Sequence, residues 1–134
     1  NNAKYNEAMI ENVIDQKDVI LATGYGVISI QEGDSPAHQR LLSIRASKLD
    51  AYRALMEQVY GQYLDTTTTV AEMVVQSDSF RSRVQGIVYG ARLVSITTVG
   101  EDTYETTLSL DNKIVSALRK LYLASTSSPK MARS

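Results

Sequence analysis

Thr23-Gly24-Tyr25-Gly26 has the glycine spacing of part of a phosphate-cradling loop. Such a loop opens a helix, whereas this Gly-x-Gly lies inside a run of strand-forming residues, so a kink or a close backbone approach is the reading it supports. Asp15, Asp18, Glu32, Asp34 and Asp50 could be drawn as paired acids for proton transfer. None stands at regular spacing on an apolar-flanked face that would raise its pKa, and they read as solvated surface charge. His38, the sole histidine, falls in the first turn of a helix, where an imidazolium would oppose the helix dipole, so a neutral surface ring is expected. One histidine and no cysteine exclude a multi-histidine or thiolate metal site, a thiol nucleophile and a disulfide. No Gly-x-Ser-x-Gly elbow is present to make a triad with His38. No catalytic residue, metal ligand or cofactor site is expected.

The other chemistry-bearing residues are tyrosines and bases. There are eight tyrosines against one phenylalanine and no tryptophan. A tyrosine joins a large apolar ring to a hydroxyl that tolerates water, which suits core edges and surfaces buried against a partner. Tyr25, Tyr60, Tyr63, Tyr89 and Tyr104 flank strands and turns. The C-terminal stretch from Asp111 holds Lys113, Arg119, Lys120, Lys130 and Arg133, a pattern that fits an anionic lipid or wall polymer as well as a solvated helix end. The net charge of -1 gives no electrostatic case for a nucleic-acid partner. Charge is uneven all the same: net -3 over residues 1–67 and net +2 over 68–134.

The elements that must position these residues follow from hydrophobic period and punctuation. At 134 residues and 43% hydrophobic, the chain is expected to form one domain over 19–124, between an N-terminal arm (1–18) and a flexible tail (125–134). Met9, Ile10, Val13 and Ile14 recur at helical spacing in the arm. Val19 to Ile30 reads as a strand with a weak middle. Ser35 and Pro36 open a helix of about 25 residues that Gly61 closes, with Leu42, Ala46, Leu49, Tyr52, Met56 and Val59 as its buried stripe. The threonine run within Gln62 to Val75 predicts a strand or extended arm. A short helix over Ser79 to Val84, capped by Ser77 or Asp78, precedes a linker over Gly86 to Gly90. Ala91 to Val99 and Thr103 to Leu110 form a hairpin about Gly100-Glu101-Asp102, with Tyr104, Thr106, Leu108 and Leu110 on one face. Asp111 or Asn112 caps a last helix through Ile114, Leu118, Leu121 and Tyr122. The order gives an α+β layer: a small, mainly antiparallel sheet with one long helix and shorter helices on one face. No uncharged apolar run approaches the roughly 18 residues of a membrane span, and residues 1–6 lack the basic and apolar regions of a signal peptide.

The strand Ala22-Thr23-Gly24-Tyr25-Gly26, the alanine-punctuated helix LLSIRASKLDAYRALMEQVYG and the segment VQGIVYGARLVSITTVGEDTYETTLSLD together resemble the FlgP-type flagellar outer-membrane lipoproteins over about residues 19–124. The resemblance implies a non-enzymatic subunit of a ring or disk around the flagellar basal body, on the periplasmic face of the outer membrane. Its implied partners are further copies of itself, FlgT and the L and P rings, with the membrane reached through a lipid anchor missing from this cysteine-free chain. A closed ring needs two different complementary surfaces per subunit. Free strand edges, the tyrosines and the opposite charge of the two halves could supply them, and Tyr25, Tyr60 and Tyr63, with Ile10, Val13 and Ile14 of the arm, are the expected assembly residues. The competing expectations are a monomeric periplasmic module that binds cell wall or lipid through the basic C-terminal helix, and an enzyme with a pocket lined by the acids between Asp15 and Asp50.

Overall fold

Alternation along the first strand decides the architecture. In a computed structural model that describes residues 18–127, β1 (Val19–Val27) buries Ile20, Ala22, Gly24 and Gly26 and turns Leu21, Thr23 and Tyr25 outward. The remaining elements are α1 (Pro36–Tyr60), α2 (Val70–Gln76), α3 (Asp78–Tyr89), β2 (Arg92–Val99), β3 (Thr103–Asp111) and α4 (Asn112–Ser127). The three strands form an antiparallel sheet in the order β1-β3-β2, so the fold is the expected small α+β layer. The Ile10, Val13 and Ile14 arm lies outside the described residues. Strand β1 ends three residues before Ile30, and α4 runs through Ser127, into the stretch expected as tail.

Helix α1 begins where the sequence indicates: the Ser35 hydroxyl accepts the His38 N–H at 3.1 Å, and Pro36 occupies the first turn. Its buried stripe differs from the expected one. Ser43, Ser47, Ala51, Leu55 and Val59 face the sheet, whereas Leu49 is 63% exposed and Leu42, Ala46, Tyr52 and Met56 are half-buried on the flanks. The cause is on β1. A Cβ on Gly24 would run into the backbone of Ala51, and one on Gly26 into the carbonyl of Ser43. With glycine on the strand and serine or alanine on the helix, the two backbones come too close for a leucine stripe between them. The Gly-x-Gly is therefore a packing device and no part of an anion site. Buried hydroxyls are satisfied locally, Ser43 to the Arg40 carbonyl and Ser47 to that of Ile44, both at 2.7 Å.

Two further expectations are corrected. The threonine run makes no strand. Asp65 Oδ1 accepts from the Thr67 and Thr68 N–H groups at 2.8 and 2.7 Å, and Thr69 caps α2 by accepting from the Glu72 N–H at 3.2 Å. The preference of aspartate and threonine for local side-chain-to-backbone bonds outweighs the β-propensity of the run. Second, α3 continues through Gly86 to Tyr89. Phe80, Val84 and Val88 form a buried stripe whose burial outweighs the helix cost of one glycine, about 1 kcal/mol. Ser77 is its N-cap. On β3, Thr106, Leu108 and Leu110 are buried, with Tyr104 half-buried beside them. In α4, Val115 and Leu118 are buried while Leu121 is exposed, and the Asp111 side chain accepts the Lys113 N–H at 2.9 Å.

Candidate assembly surface

The two edges of the sheet are finished differently. Outside β1, the Tyr25 N–H donates to Asp50 at 2.8 Å, and Gln58 donates to the Leu21 carbonyl at 2.8 Å. Asp50 and Gln58 both belong to α1, so the helix that packs on β1 also occupies its free edge. Such covering of an exposed edge prevents another strand from adding there.

Among the described residues, nothing covers edge strand β2 in this way. The Ile28 N–H bonds the Asp102 carbonyl and the Asn112 N–H bonds the Asp18 carbonyl, both at 2.7 Å, which sets the phase of the β1–β3 ladder. Even-numbered residues of β3 therefore bond β1 and odd-numbered ones bond β2. Within β2, Ser95, Thr97 and Val99 turn their backbone groups to β3, and Ile96 and Thr98 turn theirs to the open edge. The side chains around that edge are apolar and uncovered: Leu93, Val94 and Val99 are 47%, 46% and 47% exposed. Helix α1 lies over β1 and β3, leaving β2 as an overhang.

A groove of about 390 Å³ runs along the outer flank of α1, lined by Leu49, Tyr52, Met56, Tyr60, Val88 and Tyr89 among others. Tyr52 and Tyr89 meet with ring centroids 5.3 Å apart. Residues 50 and 52 lie on opposite flanks of a 3.6-residue helix, so with Asp50 at the β1 edge the Tyr52 flank turns toward β2. Leu49, Tyr52 and Met56, which sequence periodicity assigns to the core, thus line this groove, while Val59 of the same stripe is buried.

Of the expected assembly residues, Tyr60 lines the groove. Tyr25 projects from the open face of the sheet beside Asp50, about 15 Å from Tyr60 along α1 at 1.5 Å per residue. Tyr63 is exposed on the loop after α1, and its carbonyl accepts from the Arg119 guanidinium at 2.7 Å. The three tyrosines do not form one patch. Leu93, Val94 and Val99 were not singled out, because an edge strand and a buried one share the same composition. Tyr89 carried a signal in its position before Gly90 and β2.

Asp15, Lys130 and Arg133 lie outside the described residues, and the remaining candidates find ordinary roles. His38 Nδ1 accepts from the Asp34 N–H at 3.0 Å, which suits the neutral ring. Among the described residues, no group of three or more His, Cys, Asp or Glu is placed to hold a metal ion. Arg119 is engaged by Tyr63, and the Tyr122 hydroxyl donates to Asp65 at 3.2 Å, so these two side chains hold α4 against the loop. Asp65 has its pKa lowered, chiefly by the Thr67 and Thr68 N–H groups and also by Tyr122. Among the described residues, no helix is long and apolar enough to cross a membrane.

Residues 10–111 match the family model described as LPP20 lipoprotein. No curated protein matches the chain at a significant level.

Proposed function

The chain belongs to the LPP20 lipoprotein family, whose members are membrane-associated lipoproteins, and from that premise we propose that it is a non-enzymatic structural subunit that assembles with copies of itself. The assembly we infer is a ring or disk around the flagellar basal body beneath the outer membrane, as the sequence resemblance to FlgP-type proteins implies. The observation that carries the reading is the pair of unfilled surfaces on one small block: the open β2 edge and the apolar groove of α1. An assembling subunit needs such surfaces, and a rigid core behind them keeps their relative orientation fixed. The tight contact of Gly24 and Gly26 with Ala51 and Ser43 provides that rigidity. The alternative of a monomeric wall- or lipid-binding module has less support, because Arg119 is committed to the loop.

Electron microscopy of basal bodies from the parent strain and a strain lacking this chain tests the proposal. Loss of an outer ring or disk, restored by the gene, is the expected result. Unchanged basal bodies would remove the flagellar placement, and salt-sensitive pelleting with peptidoglycan or anionic vesicles would then favour the wall- or lipid-binding module.

A further inference from the structure

We propose that β2 pairs antiparallel with β2 of a second copy of this chain, about a two-fold axis at Thr97, joining two three-stranded sheets into one of six strands. The inference rests on the self-assembly part of the reading above and adds which edge is used, in which direction and with which register.

Direction and edge come from the ladder. Edge β1 is filled by Asp50 and Gln58, so a head-to-tail addition of β1 to β2 of the next copy is blocked. Only β2 remains open among the strands described, and β2 against β2 is an isologous contact, the same surface on both copies. With the axis at Thr97, Ile96 of one copy faces Thr98 of the other. These are the residues whose N–H and C=O groups point outward, so the two can exchange hydrogen bonds in both halves of the pair.

Charge favours a second copy over an unrelated strand. The β2 pairing carries a bulge between Leu93 and Ser95, which takes up one residue. Counting outward from Thr97, Ser95 meets Val99 of the other copy. Past the bulge, Arg92 of one copy faces the Gly100-Glu101-Asp102 turn of the other, which carries Glu101, and the two-fold axis makes this juxtaposition twice. Arg92 and Glu101 are both exposed, and neither has an ion-pair partner among the described residues. Asp102 beside it is already held by Ser29, whose hydroxyl donates to it at 2.5 Å. A strand with a cation at its start and an unpaired acid just past its end is complementary to itself when antiparallel.

The test is analytical ultracentrifugation of the whole chain over a concentration series, with circular dichroism to confirm folding. The expected result is a monomer–dimer equilibrium that Thr98→Pro weakens by about tenfold or more, since the lost N–H serves only the partner strand. R92E and E101R should each weaken the dimer, and the R92E/E101R double variant should restore it. If Thr98→Pro fails to fold, the charge swap decides alone. A chain that stays monomeric, or a dimer indifferent to these substitutions, overturns the pairing; in the first case the edge is left to a strand of a different protein. Basal-body microscopy reads the flagellar placement separately. Unchanged basal bodies with a β2-dependent dimer remove the placement and keep the pairing, whereas ring loss with a monomeric chain removes the pairing alone.

Discussion

The hydroxyls of Ser47 and Thr106 lie 2.6 Å apart in the interior, where α1 crosses the central strand. Ser47 gives its proton to the Ile44 carbonyl, so Thr106 is the donor between the two. The bond is asymmetric in consequence. Ser47→Ala leaves a buried donor without an acceptor, while Thr106→Val removes donor and need together. Ser47→Ala is expected to cost about 1–3 kcal/mol and Thr106→Val less, with the double variant regaining part of the loss. Urea denaturation of the four proteins of this cycle gives the answer, and additive effects would show that the hydroxyls are not coupled.

Two glycines give opposite signs. Gly24→Ala drives a methyl into the Ala51 backbone and should destabilise by about 3 kcal/mol or more, because neither backbone can retreat without opening the core. Gly86→Ala meets nothing within 4 Å in α3 and should stabilise by about 0.5–1 kcal/mol through helix propensity. Thermal unfolding of both variants checks the contrast.

Acidification should loosen α4. The carboxyl of Asp65 is held below its ordinary value of 3.8 by the Thr67 and Thr68 N–H groups and the Tyr122 hydroxyl. Its contribution is therefore complete above that value and is lost as the pH falls through the lower, folded one. Hydrogen exchange at the Thr67 and Thr68 amides should lose protection over that acid range. In Asp65→Asn the same amides should show no such transition, and a transition that survives there would assign the effect to another group.

Asp50→Ala uncovers the Tyr25 N–H and gives the sheet a second open edge. With both edges free, association should extend beyond a closed pair. Light scattering against concentration should show larger species for this variant than for the parent. Equal scattering would mean that Gln58 on the Leu21 carbonyl and Gln31 on the Val27 carbonyl keep the edge closed without Asp50.

The groove should matter to assembly and little to folding. Tyr60→Ala and Leu49→Glu alter residues that are half-buried or exposed on the flank of α1 and leave the inner stripe intact. Each is expected to fold normally and to lower occupancy of the proposed ring in cells, read by fluorescence of a tagged chain. Normal occupancy in both would move the contact between subunits away from this flank.

Much of the fold was legible. Ser35, Pro36 and Gly61 mark the ends of α1, and the turn at Gly100-Glu101-Asp102 marks the hairpin, because caps and turns depend on a few neighbouring residues. The Thr69-Val70-Ala71-Glu72 cap was equally local and marks the start of α2, with the Thr69 hydroxyl accepting the Glu72 N–H and donating to its carboxylate. It was masked by the β-propensity of four consecutive threonines. The candidate site was less legible: Tyr60 could be singled out by type, but no sequence pattern separates Tyr25, on the open sheet face, from a groove residue.

Residue types read along the chain account for the α+β order of elements, the alternation of β1 and β3, and the absence of cysteine with its excluded chemistries. Those properties depend on residue type and on periods of two and 3.6, which a linear chain displays. Which stripe of α1 is buried and which strand edge is open follow from packing between distant elements. Large apolar residues mark two adjacent flanks of the helix, and the choice between them was made by glycines more than fifteen residues away, whose missing side chains draw Ser43, Ser47 and Ala51 inward. In the same way, β1 and β2 look alike as strands. It is the placement of Asp50 and Gln58, carried to one edge by that same close packing, that closes one and leaves the other open.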